Sequence, residues 1–164
     1  MKVPQEIICA YIDGANLHRG VGILGWELDY SKFRVWLREK FKVETAYIFL
    51  GNIPKYSKLY AYLQECGYIL IFKEVVYDPN GKAKGNCDAD LVLKMIQDYY
   101  EKRCHKSLLV SSDGDYSSLV SFLLSRSQMK GVLSPANEKK CSILLKRTGV
   151  KLYYINDQKN KLKK

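Results

Sequence analysis

A chain of 164 residues makes one domain of ordinary size, and 47% hydrophobic residues let it bury a substantial core. A formal net charge of +10, from 27 basic and 17 acidic residues, favours a polyanionic partner, nucleic acid above all. The five cysteines form no CxxC pair and only two histidines accompany them, which argues against a disulfide scaffold or a structural zinc site and for a reduced, cytoplasmic compartment.

Residues 7–12 read as a short buried strand. Residues 29–41 read as a helix, with Tyr30, Phe33, Trp36 and Leu37 on one face and charges on the other. A strand over 44–50 leads into a helix over 54–66, which Gly67 ends as a C-cap. Residues 68–76 form a third strand and 78–86 (DPNGKAKGN) a turn-rich loop. A long helix over 88–102 carries Leu91, Met95, Ile96 and Tyr99. A strand over 106–111, a helix over 115–127, a strand over 130–133, a helix over 138–147 and a strand over 150–155 follow. The last nine residues, 156–164, are polar and basic and read as a tail after a single domain spanning 1–155. No apolar stretch approaches the roughly 20 residues that span a bilayer, and the polar N-terminus has no secretory apolar region. Alternating strands and helices predict an α/β fold with a central, mostly parallel sheet and helices on both faces.

In an open sheet of this kind, ligands collect beyond the carboxyl ends of the strands, near a switch in strand order. Asp13 follows the first strand. Asp113 and Asp115 follow the fourth, in Ser-Ser-Asp-Gly-Asp-Tyr. Asp88 and Asp90 open the helix that feeds it, in Asn-Cys-Asp-Ala-Asp. Carboxylates that converge repel one another, and they stay ionised together when a cation neutralises them. Hard oxygen donors without histidine or thiolate select Mg²⁺ or Mn²⁺. Such ions activate water and stabilise charge in phosphodiester hydrolysis, so no side chain need act as a covalent nucleophile. Each acid also has a plainer reading. Asp13 and Asp113 are suited to turns, Asp88 and Asp115 to helix N-caps, and Asp90 to complementing a helix dipole. Asp88 and Asp90, two residues apart on a helix, do not share a face; Asp88 is the favoured ligand and Asp90 the secondary one.

Further candidates surround these acids. Asn16 lies three residues after Asp13, within reach of a metal-bound water or a phosphate, or serves as a helix cap. Ser111 and Ser112 flank the acid pair and could bind phosphate. Lys82 and Lys84 precede Asp88 and could contact a phosphate or simply be solvated. Among thirteen tyrosines, Tyr116 is as suited to stacking on a base as to packing, while Tyr77 is expected to pack.

Three segments occur in order: Ile-Asp-Gly-Ala-Asn-Leu (12–17), Lys-Gly-x-x-Asp-x-Asp-Leu (84–91) and Ser-x-Asp-Gly-Asp-Tyr (111–116). Together they resemble the NYN domain family of PIN-like nucleases, over nearly the whole chain. Ser134-Pro135 and Cys141-Ser142-x-x-Leu145 look like its bacterial, LabA-like branch. The resemblance implies a three-layer α/β/α sandwich and an acidic pocket for Mg²⁺ or Mn²⁺ at Asp13, Asp88, Asp113 and Asp115. It implies RNA as the substrate class, and Asn16 matches the asparagine of the family's first motif. Cys87 stands where an aliphatic residue is expected, Ser112 where glycine is, and Met129-Lys130-Gly131 replaces a Gly-Lys order; none of these removes an acid.

The leading expectation is a metal-dependent endoribonuclease. A DNA-directed flap-type nuclease and a non-catalytic RNA-binding module are the alternatives. A phosphatase of the haloacid dehalogenase type would need Asp-x-Asp after the first strand, where Gly14 and Ala15 follow Asp13. A P-loop NTPase needs a GxxxxGK[ST] sequence that does not occur. A homodimer and a recruiting protein partner stay open; a membrane partner is not expected.

Overall fold

In the computed structural model, which describes residues 2–164, six parallel strands form a central sheet. The elements run β1 (Ile8–Asp13), α1 (Gly14–Ile23), α2 (Tyr30–Phe41), β2 (Val43–Asn52), α3 (Ser57–Glu65) and β3 (Tyr68–Glu74). A hairpin of β4 (Val76–Tyr77) and β5 (Ala83–Lys84) comes next, followed by α4 (Asp88–Tyr100), β6 (Lys106–Val110), α5 (Ser117–Ser125), β7 (Met129–Ser134), α6 (Ile143–Arg147), β8 (Leu152–Tyr154) and α7 (Lys159–Leu162).

The strand order is β3-β2-β1-β6-β7-β8. The chain winds outward from β1 in one direction, then returns to β6 and winds outward in the other. The switch in winding therefore lies between β1 and β6, which pair in register from Ile8 with Lys106 to Ile12 with Val110. In open sheets of this kind, the loops leaving the carboxyl ends of the strands at such a switch point border the ligand site.

Alternation along the buried strands sorts side chains into two cores. Ile8, Ala10 and Ile12 face one way and pack with Leu17, Phe33, Leu37 and Leu63 from α1, α2 and α3. Cys9 and Tyr11 face the other way, with Leu91, Met95, Leu119, Val120, Leu123 and Leu145 from α4, α5 and α6. The result is the three-layer sandwich that the alternating pattern predicts.

Four features differ from the sequence reading. Helix α1 was not anticipated, because Gly20 and Gly22 lie within it. Gly20 is required by contact: a Cβ there would sit 2.6 Å from the Pro135 side chain. The turn-rich loop is a short hairpin, closed where Asp78 Oδ1 accepts the N–H groups of Asn80 and Lys82. Helix α6 starts at Ile143 rather than 138, because Ser142 is extended and its hydroxyl caps the Leu144 N–H at 3.2 Å. The terminal lysine-rich segment is docked rather than loose: α7 places Leu162 fully in the core, and Asp29 N–H donates to the Leu162 carbonyl at 2.8 Å.

No helix among the described residues is long and apolar enough to cross a membrane.

Candidate active site

Asp13 ends β1 and caps α1, where its Oδ1 accepts the Asn16 N–H at 3.1 Å. Gly14 follows because α1 begins hard against β2. A Cβ at that position would lie 2.4 Å from Leu50 Cδ2 and 2.7 Å from the Phe49 carbonyl oxygen. Asn16 then reaches across the switch point. Its Oδ1 accepts the Ser112 N–H at 2.9 Å and the Ser112 hydroxyl at 3.2 Å, tying the loop after β1 to the loop after β6.

Beyond β6 the chain closes into a tight turn. The buried Ser111 hydroxyl accepts the Asp113 N–H at 3.1 Å, and Asp113 Oδ1 accepts the Asp115 N–H at 2.9 Å. One 3₁₀ turn, Gly114–Tyr116, joins this loop to α5. Gly114 is pressed against the segment entering α6: a Cβ would meet Ser142 Oγ at 2.3 Å and Leu144 Cδ1 at 3.3 Å. Asp88 lies in the first turn of α4. Asn86 holds it from both sides, with its Oδ1 accepting the Asp88 N–H at 2.8 Å and its amide donating to Asp88 Oδ2 at 3.2 Å.

Carboxylate oxygens of Asp88, Asp113 and Asp115 come within 4.8 Å of one another. Asp13 joins this group through Tyr116, whose hydroxyl donates to Asp88 Oδ1 at 2.7 Å and to Asp13 Oδ2 at 3.1 Å. One phenolic proton serves two acids, and the nearer, Asp88, takes the larger share. Burial raises the Asp13 pKa above the usual carboxylate range, helped by the negative charges of Asp88 and Asp113, while the bonds from Asn16 and Tyr116 pull it back. The Tyr116 phenol is pushed far up by burial and by Asp13, so it stays a donor. Burial, then Asp13, Asp90 and Asp88, pushes the Cys87 thiol up to about 11. A neutral thiol is a poor metal ligand, and the clustered donors are all carboxylate oxygens. That donor set fits a hard divalent cation such as Mg²⁺ or Mn²⁺.

Asp90 points to β3 and pairs with Lys73 at 3.3 Å, outside the three-acid group. Tyr116 cannot stack on a base, as its ring is 1% exposed; the ring packs among the helices and the hydroxyl positions acids. Ser111 cannot reach a phosphate, being buried with its hydroxyl engaged. Ser112 spends its N–H and hydroxyl on Asn16. Lys84 is exposed on β5, in the hairpin that leads to Asp88, and Tyr77 is exposed there rather than packed. Sequence reasoning missed Asn86, a lone amide in a turn-rich loop. It also missed the positioning role of Tyr116, which depends on the 3₁₀ turn ahead of α5.

Comparison with known proteins agrees with this architecture. A crystal structure of a protein of unknown function from Vibrio parahaemolyticus superimposes with a TM-score of 0.75 at 24% identity, covering 96% of this chain and 98% of that one. A likeness at that identity bears on the fold alone. No curated protein matches. The family model for the NYN domain matches residues 8–158, from the first residue of β1 to the turn before α7. Such a domain implies a PIN-like nuclease fold and a nucleic-acid substrate. By that match over nearly its whole length, the chain belongs to the NYN domain family.

Proposed function

We propose that this protein is a Mg²⁺- or Mn²⁺-dependent endoribonuclease. The observation that carries the reading is the convergence of Asp88, Asp113 and Asp115 within 4.8 Å, beside buried Asp13, at the switch point of a parallel sheet. Three carboxylates brought together in a protein with 27 basic residues form a ligand set suited to a divalent cation.

Asp88, Asp113 and Asp115 would hold the cation. When bound, it supplies a more acidic water and neutralises charge on the phosphate. Asn86 fixes Asp88, Ser111 fixes the Asp113 backbone, and the Asn16–Ser112 tie fixes the two loops relative to each other. Asp13 has a raised proton affinity from burial, which suits it to accept the proton of the attacking water. Tyr116 holds Asp13 and Asp88 in register and stays protonated throughout. The net charge of +10 supports binding to a phosphate backbone, with exposed Lys82 and Lys84 on the hairpin beside Asp88 as contributors.

The test is incubation with labelled single-stranded RNA and, separately, single-stranded DNA, each with Mg²⁺, Mn²⁺ or EDTA. Cleavage of RNA that needs a cation and is lost in Asp113→Asn is the expected result. Preferential cleavage of DNA would move the substrate class, and binding of RNA without cleavage under either metal would remove the catalytic reading.

A further inference from the structure

A second feature adjoins the acids. Between α5 and α6 lies a cleft of about 420 Å³, lined by Ser117, Ser118, Ser121, Leu144, Arg147 and Thr148. It begins where the acid-bearing turn ends. Ser117 is two residues beyond Asp115, and Gly114 is packed against Ser142 and Leu144 at the start of α6.

Its lining combines one cation, a set of hydroxyls and one apolar side chain. Arg147 is exposed and is in no salt bridge among the described residues. Thr148 is committed, donating to the Leu145 carbonyl at 2.6 Å and accepting the Val150 N–H at 3.2 Å. Among the described residues, the three serines spaced along α5 have no comparable side-chain bond, unlike Ser125 at the end of the helix, which bonds the Phe122 carbonyl. Leu144 is 48% exposed at the mouth. A guanidinium fork, a row of hydroxyls and an apolar shelf match the phosphate, sugar and base of a nucleotide, in that order.

We propose that this cleft binds the nucleotide next to the scissile phosphate of a single-stranded RNA. Arg147 pairs with its phosphate, and the α5 serines bond the ribose, including the 2′-hydroxyl that distinguishes RNA from DNA. The assignment rests on the nuclease reading for its direction, since the cleft starts at the turn that carries Asp113 and Asp115. It gives the protein a way to hold a strand beside an acidic cluster that would otherwise repel it.

The experiment measures anisotropy of a fluorescein-labelled oligouridylate of about twelve nucleotides, and of its DNA equivalent, over a salt series from about 50 to 200 mM. The full chain is used with Ca²⁺, and a gel checks that the probe stays intact. Arg147→Ala should weaken RNA binding about five- to tenfold and reduce the salt slope by roughly 0.7, the share of one phosphate contact on a single strand. Arg147→Lys should recover part of the affinity. Arg126→Ala, at the far end of α5, should change neither quantity. Ser117→Ala with Ser121→Ala should lower RNA affinity more than DNA affinity. Unchanged affinity and slope in Arg147→Ala, or an equal loss in Arg126→Ala, would overturn the assignment. So would wild type that does not bind the probe. Failure of the nuclease reading looks different: no cleavage with Mg²⁺ or Mn²⁺, while Arg147→Ala still weakens binding.

Discussion

Replacing Tyr116 with Phe isolates the hydroxyl that links two acids. The ring is fully buried and keeps its packing in Phe, so the change is confined to one O–H group. That group donates to Asp88 at 2.7 Å and to Asp13 at 3.1 Å. A hydrogen bond to a charged group is worth about 1.5–3 kcal/mol, and half-buried Asp88 regains part of its loss from water, which puts the cost near 2 kcal/mol. For a chain of this size that is a fall in Tm of roughly 4–8 °C. The assay is urea and thermal unfolding in EDTA, with the urea midpoint falling at unchanged m-value. The pH dependence supplies the sharper check. The Tyr116 hydroxyl lowers the Asp13 pKa, so removing it raises further a value that burial has already raised. A carboxyl whose folded pKa is raised contributes stability that is present at low pH and lost as pH rises through the folded value. The deficit of Tyr116→Phe should therefore be largest near neutral pH and shrink in acid, where Asp13 is protonated in both proteins. A deficit below about 0.5 kcal/mol at neutral pH, within the ordinary range for inconsequential substitutions, would refute the reasoning. So would one that is constant with pH.

Asp13→Asn should raise Tm near neutral pH, because it keeps the N-cap and removes a buried charge; the gain should fade as pH falls through the raised folded value of Asp13 and be gone below the unfolded-chain value of about 3.9. Cleavage by that variant should nonetheless be lost. Gly114→Ala should cost about 1–2 kcal/mol, since its Cβ displaces the Ser142 hydroxyl that caps α6, and pairing it with Ser142→Gly should restore part of the loss in a thermal melt. Leu162→Ala should cost about 2–5 kcal/mol by urea unfolding, as expected for a core leucine and not for a loose tail. Asp90→Asn should leave Mn²⁺ affinity by titration calorimetry within about twofold of wild type, because its partner is Lys73.

The sheet and its acids were legible because the signals are local and strong. Runs such as Ile8–Asp13 bury every residue, and an acid placed just beyond such a run falls at the sheet's ligand-binding end whatever the details of packing. Asp113 and Asp115 were found that way. What was not legible depends on contacts between distant segments. Helix α1 carries three glycines, two of them in its interior, which lowers helix propensity, and Gly20 is there because Pro135 lies against it, 115 positions later in the chain (135 − 20). Tyr116 reads equally as an inward or an outward aromatic until the 3₁₀ turn ahead of α5 fixes its direction. The docking of α7 hangs on Leu162 among lysines, too weak a pattern to separate from a solvated tail. Asp90 follows Asp88 so closely that only the observed pairing with Lys73 separates their roles.

In the proposed nuclease, Asp88, Asp113 and Asp115 together hold the cation that drives phosphodiester cleavage. This role is tested most directly by RNA cleavage rate against Mn²⁺ concentration for wild type, Asp113→Asn and Asp90→Asn. Cleavage should be saturable in the cation, abolished in Asp113→Asn and kept in Asp90→Asn. Cleavage that persists in EDTA, or that survives Asp113→Asn at wild-type rate, would contradict it.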